Sequence, residues 1–238
     1  MFVNEAILAR GQDPEALFAF FHTQRTGGSN FQRWLRQHFA DEVVYSPRTV
    51  EKFVHWQKMS DFSVLDRFKV FAGFGEYRHY ALGRPLVALA TIRHPFYRIV
   101  SLYKMSRSHS SHFLHDVAAA ENFENFYRIG VQRKAWYFHN LTSRRIGGGS
   151  NANFEQAVAN MKRDFGLVIP TNDLYRGSEL MLEKFPWKIK PMEKKNPLPD
   201  AQNYQAFDAS PVRSEIMANN QEDERLYDYV VRGAHITE

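Results

Sequence analysis

Two rhythms of apolar residues run along the chain. Residues 17–21 (LFAFF), 69–73 (KVFAG), 86–92 (LVALATI) and 166–169 (GLVI) are apolar at nearly every position, the pattern of strands covered on both faces in a parallel sheet. Elsewhere the apolar positions recur at helical spacing. Phe31, Trp34, Leu35 and Phe39 form one stripe with Arg33 and Arg36 outside it, which predicts a helix over residues 30–39. Pro95 suits the first turn of a second helix, from Phe96 to about Lys104, because its missing N–H costs nothing there. Residues 121–165 read as mainly helical with a break at 147–150, and residues 212–232 regain helical spacing through Ile216, Leu226, Tyr229 and Val230. Pro170 closes the last strand, and Asn172 is placed to cap the helix after it. Residues 186–211, rich in proline and lysine and without periodicity, predict a long loop that covers a ligand. Strands alternating with helices predict an α/β fold in three layers, a central parallel sheet flanked by helices.

A length of 238 residues suits one domain with room for a small helical subregion. No run is apolar enough to cross a bilayer and no signal-peptide pattern opens the chain, so the expectation is a cytoplasmic protein without integral membrane contact. The chain has no cysteine, which excludes disulfides, thiolate chemistry and sulfur ligands for a metal. A net charge of +5 favours anionic partners, and nucleotide phosphates, acidic glycans, nucleic acid and anionic lipid all satisfy it.

Charge becomes specific at residues 18–31 (FAFFHTQRTGGSNF), where an apolar strand enters a basic, glycine-paired turn and leaves as an amphipathic helix. Free N–H groups and the helix dipole make such a turn an anion cradle. Gly27 and Gly28 permit close backbone approach, Ser29 and Asn30 add donors or a cap, and Arg25 adds a permanent charge. A second strand ends at Arg93, and on the helix that follows Ser101 shares a stripe with Tyr97 and Arg98, a polar face looking back toward Arg93. Two basic turns at one end of a sheet suit a nucleotide phosphorylated at two places.

The motifs HTQRTGGS (residues 22–29) and RHPFYRIVS (residues 93–101) resemble those of sulfotransferases that use 3′-phosphoadenosine 5′-phosphosulfate (PAPS), most closely the carbohydrate branch acting at the 2-O and 6-O positions of heparan sulfate. The family's 5′-phosphosulfate loop has the form K-T-G-G-T/S, with Arg25 here at the lysine; its 3′-phosphate motif is R-D-P-x-x-R-x-x-S, with His94 here at the aspartate. NLTSRRIGG, FGLVIPTNDL and NNQEDERLYDY are weaker echoes further along. The resemblance implies a P-loop-like fold, PAPS as donor, its bisphosphate PAP as product, and no metal. It implies donor contacts from Arg25, Thr26, Gly27, Gly28, Ser29, Asn30, Arg93 and Ser101. A phosphate-transferring enzyme of the same architecture would carry G-x-x-x-x-G-K-S/T and a strand-end aspartate for magnesium, which residues 22–29 and Arg93 do not supply. Such a kinase-like protein, and a non-catalytic basic domain for glycans or nucleic acid, are the alternatives.

In-line attack by an acceptor hydroxyl would load charge on the oxygen leaving with the 5′-phosphate, where Arg25 and the amides of residues 26–29 would stabilise it. The expected partner is an oligosaccharide or glycolipid hydroxyl, with no nucleic acid. Carbohydrate relatives place a catalytic histidine in a G-H segment, but the matching stretch GFGEYRHY has Phe74. Glu76 and His79 are the substitutes as general base, followed by His22 and His55. At steps of three on a helix His109, His112 and His115 would fan out instead of converging on a metal, so they are expected to line a loop at the acceptor opening. Lys188, Lys190, Lys194 and Lys195, with Asn196, form either a solvated loop or a clamp on an anion.

Overall fold

The computed structural model describes residues 1–39, 44–45, 68–73, 76–77, 84–193, 204–233 and 235–236. These build an α/β fold around one sheet. In chain order the first elements are β1 (Phe2–Asn4), α1 (Glu5–Arg10), β2 (Leu17–Phe21), α2 (Gly28–His38), β3 (Val44–Tyr45), β4 (Val70–Gly73), β5 (Leu86–Ile92) and α3 (Pro95–Ser108). They are followed by α4 (His115–Ala120), α5 (Phe123–Phe138), α6 (Leu141–Gly147), α7 (Phe154–Asp164), β6 (Phe165–Pro170), a short 3₁₀ turn (Thr171–Asp173), α8 (Leu174–Lys184), α9 (Arg213–Ala218), α10 (Gln221–Val231) and β7 (His235–Ile236).

The strand order is β3-β4-β2-β5-β6-β1-β7, and neighbours from β3 through β6 are parallel. The expectation of a wholly parallel sheet is corrected by β1, which runs antiparallel to β6 through the pairs Phe2 with Val168 and Val3 with Leu167. Three residues are too few for a hydrophobic period, so only burial against β6 and the following helices identifies β1.

Alternate residues of each strand feed opposite faces, which is why the strands are apolar throughout. Leu17, Ala19, Phe21, Ala88, Ala90, Phe165 and Val168 pack with Met161 of α7 and Leu226 of α10. Phe18, Phe20, Val87, Leu89, Leu167 and Ile169 pack on the other side with Ile7 of α1, Phe31 and Leu35 of α2, and Met181 of α8. A third cluster, built on Phe96, Ile99, Leu102, Phe126, Phe138 and Ile216, joins α3, α5 and α9.

Two further expectations change. Asn172 does not cap α8: residues 171–173 form the 3₁₀ turn, and the position before α8 is Asp173, without a side-chain cap. The helical stretch near the C-terminus divides into α9 and α10 at Asn219 and Asn220. Residues 186–193 carry no helix or strand, as expected of a loop, with Trp187 and Ile189 packed on the core and Lys188 and Lys190 exposed. The indole N–H of Trp34 fixes this segment by donating to the Lys190 carbonyl at 2.8 Å. Lys188 and Lys190 are therefore carried along the flank of α2. Lys194, Lys195 and Asn196 lie outside the described residues, as do His55, Phe74 and His79.

Candidate functional site

The turn after β2 is tied to three strand ends. His22 N–H extends the pairing with β4 by donating to the Gly73 carbonyl at 3.0 Å. Thr26 is fully buried; its hydroxyl lies 2.8 Å from the Thr23 carbonyl and 2.8 Å from the hydroxyl of Thr91 in β5. From the end of β6, the Thr171 hydroxyl reaches the carbonyls of Thr26 at 2.9 Å and Ile92 at 3.0 Å. β2 pairs with β4 on one side and β5 on the other, so this turn lies where the strand order reverses, the usual position of a ligand crevice in an open α/β sheet.

Backbone geometry opens the turn for an anion. Arg25 and Gly27 have positive φ, 69° and 82°, a conformation that costs an arginine more than a glycine. Gly28 begins α2 against the ring of His22, where a Cβ would lie 2.1 Å from the imidazole Cδ2. The N-cap is Gly27, with no side-chain hydrogen bond, and the first turn holds no acid. Ser29 and Asn30 thus lie inside the first turn and do not cap it, a correction to the sequence expectation. The leading N–H groups of α2 lack intrahelical acceptors and carry the positive end of its dipole.

The two arginines meet here. Arg25 donates to Ser101 Oγ through Nε at 3.1 Å and Nη2 at 2.9 Å, and Arg93 Nη1 is 3.4 Å from the Arg25 carbonyl. Neither guanidinium is ion-paired to a carboxylate among the described residues. Burial holds the Arg25 pKa below its ordinary value; the Tyr204 and Tyr137 hydroxyls oppose this effect, and the charge of Arg93 reinforces it. Repulsion between the two cations is what an anion between them would relieve. The Arg93 guanidinium stacks over the ring of Tyr204 at 4.8 Å.

His22 is buried, and burial followed by the charge of Arg25 pushes its pKa down to about 3, so it is neutral beside the turn. Arg98 does not share the polar face expected of it. It is 0% exposed and donates to the carbonyls of Tyr137 at 3.2 Å and Phe138 at 3.3 Å. Tyr97 turns to Asp208 Oδ1 at 3.0 Å.

Glu76 accepts from Arg145 Nη1 at 3.3 Å. The neighbouring Tyr77 N–H donates to the Arg145 carbonyl at 2.7 Å, and its hydroxyl donates to Asp164, so residues 76–77 are fixed at three points. Burial raises the Tyr137 pKa, and the charges of Arg98, Arg25 and Arg145 oppose that rise. Each of the three histidines has its own hydrogen-bonded atom, two of these on Ser106. His115 Nδ1 faces the Ser106 carbonyl, His112 Nδ1 faces Ser106 Oγ, and His109 Nδ1 faces the Met105 carbonyl. Among the described residues no group of acids and histidines is arranged to hold a metal, and no helix is long and apolar enough to cross a membrane.

Thr91 and Tyr204 have no motif spacing that connects them to the turn, whereas Thr171 and Arg145 fall inside the weak echoes FGLVIPTNDL and NLTSRRIGG, which do not single them out. A hydroxyl residue directly after a strand-ending proline, as at Thr171, was the one local signal. The turn combines an uncapped helix start, two arginines and two glycines where side chains do not fit, an arrangement able to bind a di-anionic or doubly phosphorylated ligand. Compared with known proteins, the chain matches no family model and no curated protein.

Proposed function

We propose that the chain is a PAPS-dependent sulfotransferase with a P-loop-like nucleotide site, transferring a sulfuryl group to an acceptor hydroxyl on a carbohydrate or glycoconjugate. One observation carries the reading: two arginine-bearing turns, far apart in sequence, adjoin through Arg25 to Ser101 and Arg93 to the Arg25 carbonyl. The motif resemblance and the glycine cradle at Gly27 and Gly28 support it. The residues fit the donor, because the cradle is cationic, uncapped and free of acids at the helix start.

Bound there, the donor supplies a sulfuryl group activated by a phosphate leaving group. Arg25 and the amides of residues 26–29 neutralise charge on the departing phosphate oxygen; one such preorganised donor lowers a barrier by about 3 to 4 kcal/mol. Arg25 works by charge and hydrogen bonding, since a guanidinium does not release its proton at working pH. Arg93 and Ser101 hold the 3′-phosphate. Glu76 takes the acceptor proton, with Arg145 fixing its orientation; His79 is the other base in this proposal.

The test is thermal unfolding with adenosine 3′,5′-bisphosphate in chelator, ATP with magnesium, and a nucleic acid duplex at low and high salt. Stabilisation by the bisphosphate alone is expected. Stabilisation only by ATP with magnesium transfers the chain to the kinase-like reading, and salt-sensitive duplex binding alone makes it a basic binding domain.

A further inference from the structure

Glu76, the proposed base, has one hydrogen bond to a described residue, from Arg145 Nη1 at 3.3 Å. Such a contact holds a carboxylate on a flexible stem only as firmly as the backbone beneath it is held. That backbone is anchored by the next residue. Tyr77 is 1% exposed, and its ring packs on Phe21 of β2 and Phe165 of β6 at centroid distances of 5.6 and 5.2 Å. The Tyr77 N–H donates to the Arg145 carbonyl at 2.7 Å, and its own carbonyl abuts Gly148, where a Cβ would lie 2.7 Å away. Gly148 has a φ of 87°, so the glycine that ends α6 also admits this peptide.

The phenol supplies a second anchor at the far end of the side chain. Its hydroxyl donates to Asp164 and accepts from Arg163 Nη2 at 2.9 Å, while Arg163 Nε donates to Asp164 at 2.8 Å. Burial, followed by the hydrogen bond to Asp164, pushes the Tyr77 pKa above its ordinary value, so the phenol keeps the proton it donates. Arg163 Nη2 also reaches Asn160 Oδ1 at 2.9 Å, and Asn160 Nδ2 donates to the Ile146 and Gly147 carbonyls, each at 3.0 Å. These bonds close a circuit. Arg145 of α6 holds Glu76 with its guanidinium and the Tyr77 N–H with its carbonyl, and the last turn of α6 holds the Tyr77 hydroxyl through Asn160 and Arg163. Apolar packing is non-directional and leaves the ring free to slide; two hydrogen bonds on its oxygen fix it.

We infer that Tyr77 is a positioning residue: its hydroxyl, held by Asp164 and Arg163, fixes the Glu76 carboxylate against Arg145, where the acceptor proton is received. The inference rests on the proposed function for the role of Glu76, but the fixing itself belongs to the circuit and is measurable without a ligand. Proton acceptance needs the carboxylate within hydrogen-bond reach of the acceptor, and a displacement of about 1 Å costs as much as roughly a hundredfold in rate. Tyr77, being buried, acts through residue 76 and not by contact with a ligand.

The experiment compares the full chain with Tyr77→Phe, Asp164→Ala and Asp164→Asn, each checked for folding by urea unfolding. The carboxyl carbon of Glu76, assigned in ¹³C-glutamate-labelled protein by its loss in Glu76→Gln, is followed by NMR. Release of adenosine 3′,5′-bisphosphate from PAPS is followed with an unsulfated heparosan octasaccharide as the probe acceptor. Tyr77→Phe is expected to shift the Glu76 signal and lower kcat about tenfold, with KM for PAPS and affinity for the bisphosphate changed by less than about twofold. Asp164→Ala should act alike, and Asp164→Asn, which keeps an oxygen for the phenol, should recover part of the rate. In a Glu76→Gln background Tyr77→Phe should lower kcat no further, because the group it positions is gone. An unmoved Glu76 signal in a folded Tyr77→Phe protein, an unchanged kcat, or an equal loss in the Glu76→Gln background overturns the inference. If the chain binds no bisphosphate, the sulfotransferase reading fails; if it binds bisphosphate but does not turn over the octasaccharide, that acceptor fails. In both cases the Glu76 signal alone decides the inference.

Discussion

Gly28 is held against the His22 ring, and a Cβ there would lie 2.1 Å from Cδ2. The ring is buried and stacked on Phe20, so it has little freedom to retreat. Gly28→Ala should therefore cost about 1 to 3 kcal/mol, measured by urea unfolding, and should weaken bisphosphate binding by displacing the start of α2. His22 itself sets a pH dependence. Its folded pKa of about 3 is below the ordinary 6.5, so between those values the unfolded chain binds the extra proton and stability falls as pH falls. From pH 7 to pH 5 this one group removes about 2 kcal/mol, and urea unfolding of a His22→Asn protein should lose that part of the pH dependence. Ser101→Ala removes the oxygen that receives two Arg25 donors; a loss of about 1 kcal/mol in stability is expected, with a larger loss of affinity for the bisphosphate in titration.

At the level of elements, helix ends are closed by side chains distant in sequence. Arg98 of α3 satisfies the last carbonyls of α5 from a fully buried position and places a cation at the negative end of that helix. Arg98→Met should cost about 2 to 4 kcal/mol in urea unfolding, since two buried carbonyls lose their donors, and Arg98→Lys should recover part of it. Helices α6 and α10 cap each other. Asp223 accepts the Thr142 N–H at 3.1 Å and the Ser143 N–H at 2.7 Å, while Asn140 Oδ1 accepts the N–H groups of Glu222 at 3.1 Å and Asp223 at 3.3 Å. This lock orients Arg144 and Arg145, so Asp223→Ala should speed amide exchange throughout α6 and loosen the contact of Arg145 with Glu76.

For the whole molecule, the relevant feature is the joining of the β2, β5 and β6 ends by Thr26, Thr91 and Thr171. A ligand gripped there engages three strands at once, so binding should stabilise the sheet as a unit. At a hundredfold excess over Kd, adenosine 3′,5′-bisphosphate should add about 2.7 kcal/mol, which for a chain of this size raises Tm by roughly 5 to 10 °C. Thr171→Val should lower Tm and reduce that increment, because the β6 end is then released from the turn.

The chain's own periodicities were sufficient for the central strands. β2 and β5 occur at the residues where the apolar runs lie, because a strand covered on both faces has no polar alternation to blur its limits. The glycine-paired turn and RHPFYRIVS were also legible, since each depends on spacing within one strand–turn–helix unit. Tertiary structure decided the rest. It made β1 a strand through pairing with β6, turned Arg98 from a polar face into the interior, and brought Thr171, Tyr204 and Tyr137 to the arginines. Local sequence encodes hydrophobic period and turn chemistry over a few residues; which distant side chains meet follows from strand order and helix packing, and these are set by burial across the whole fold.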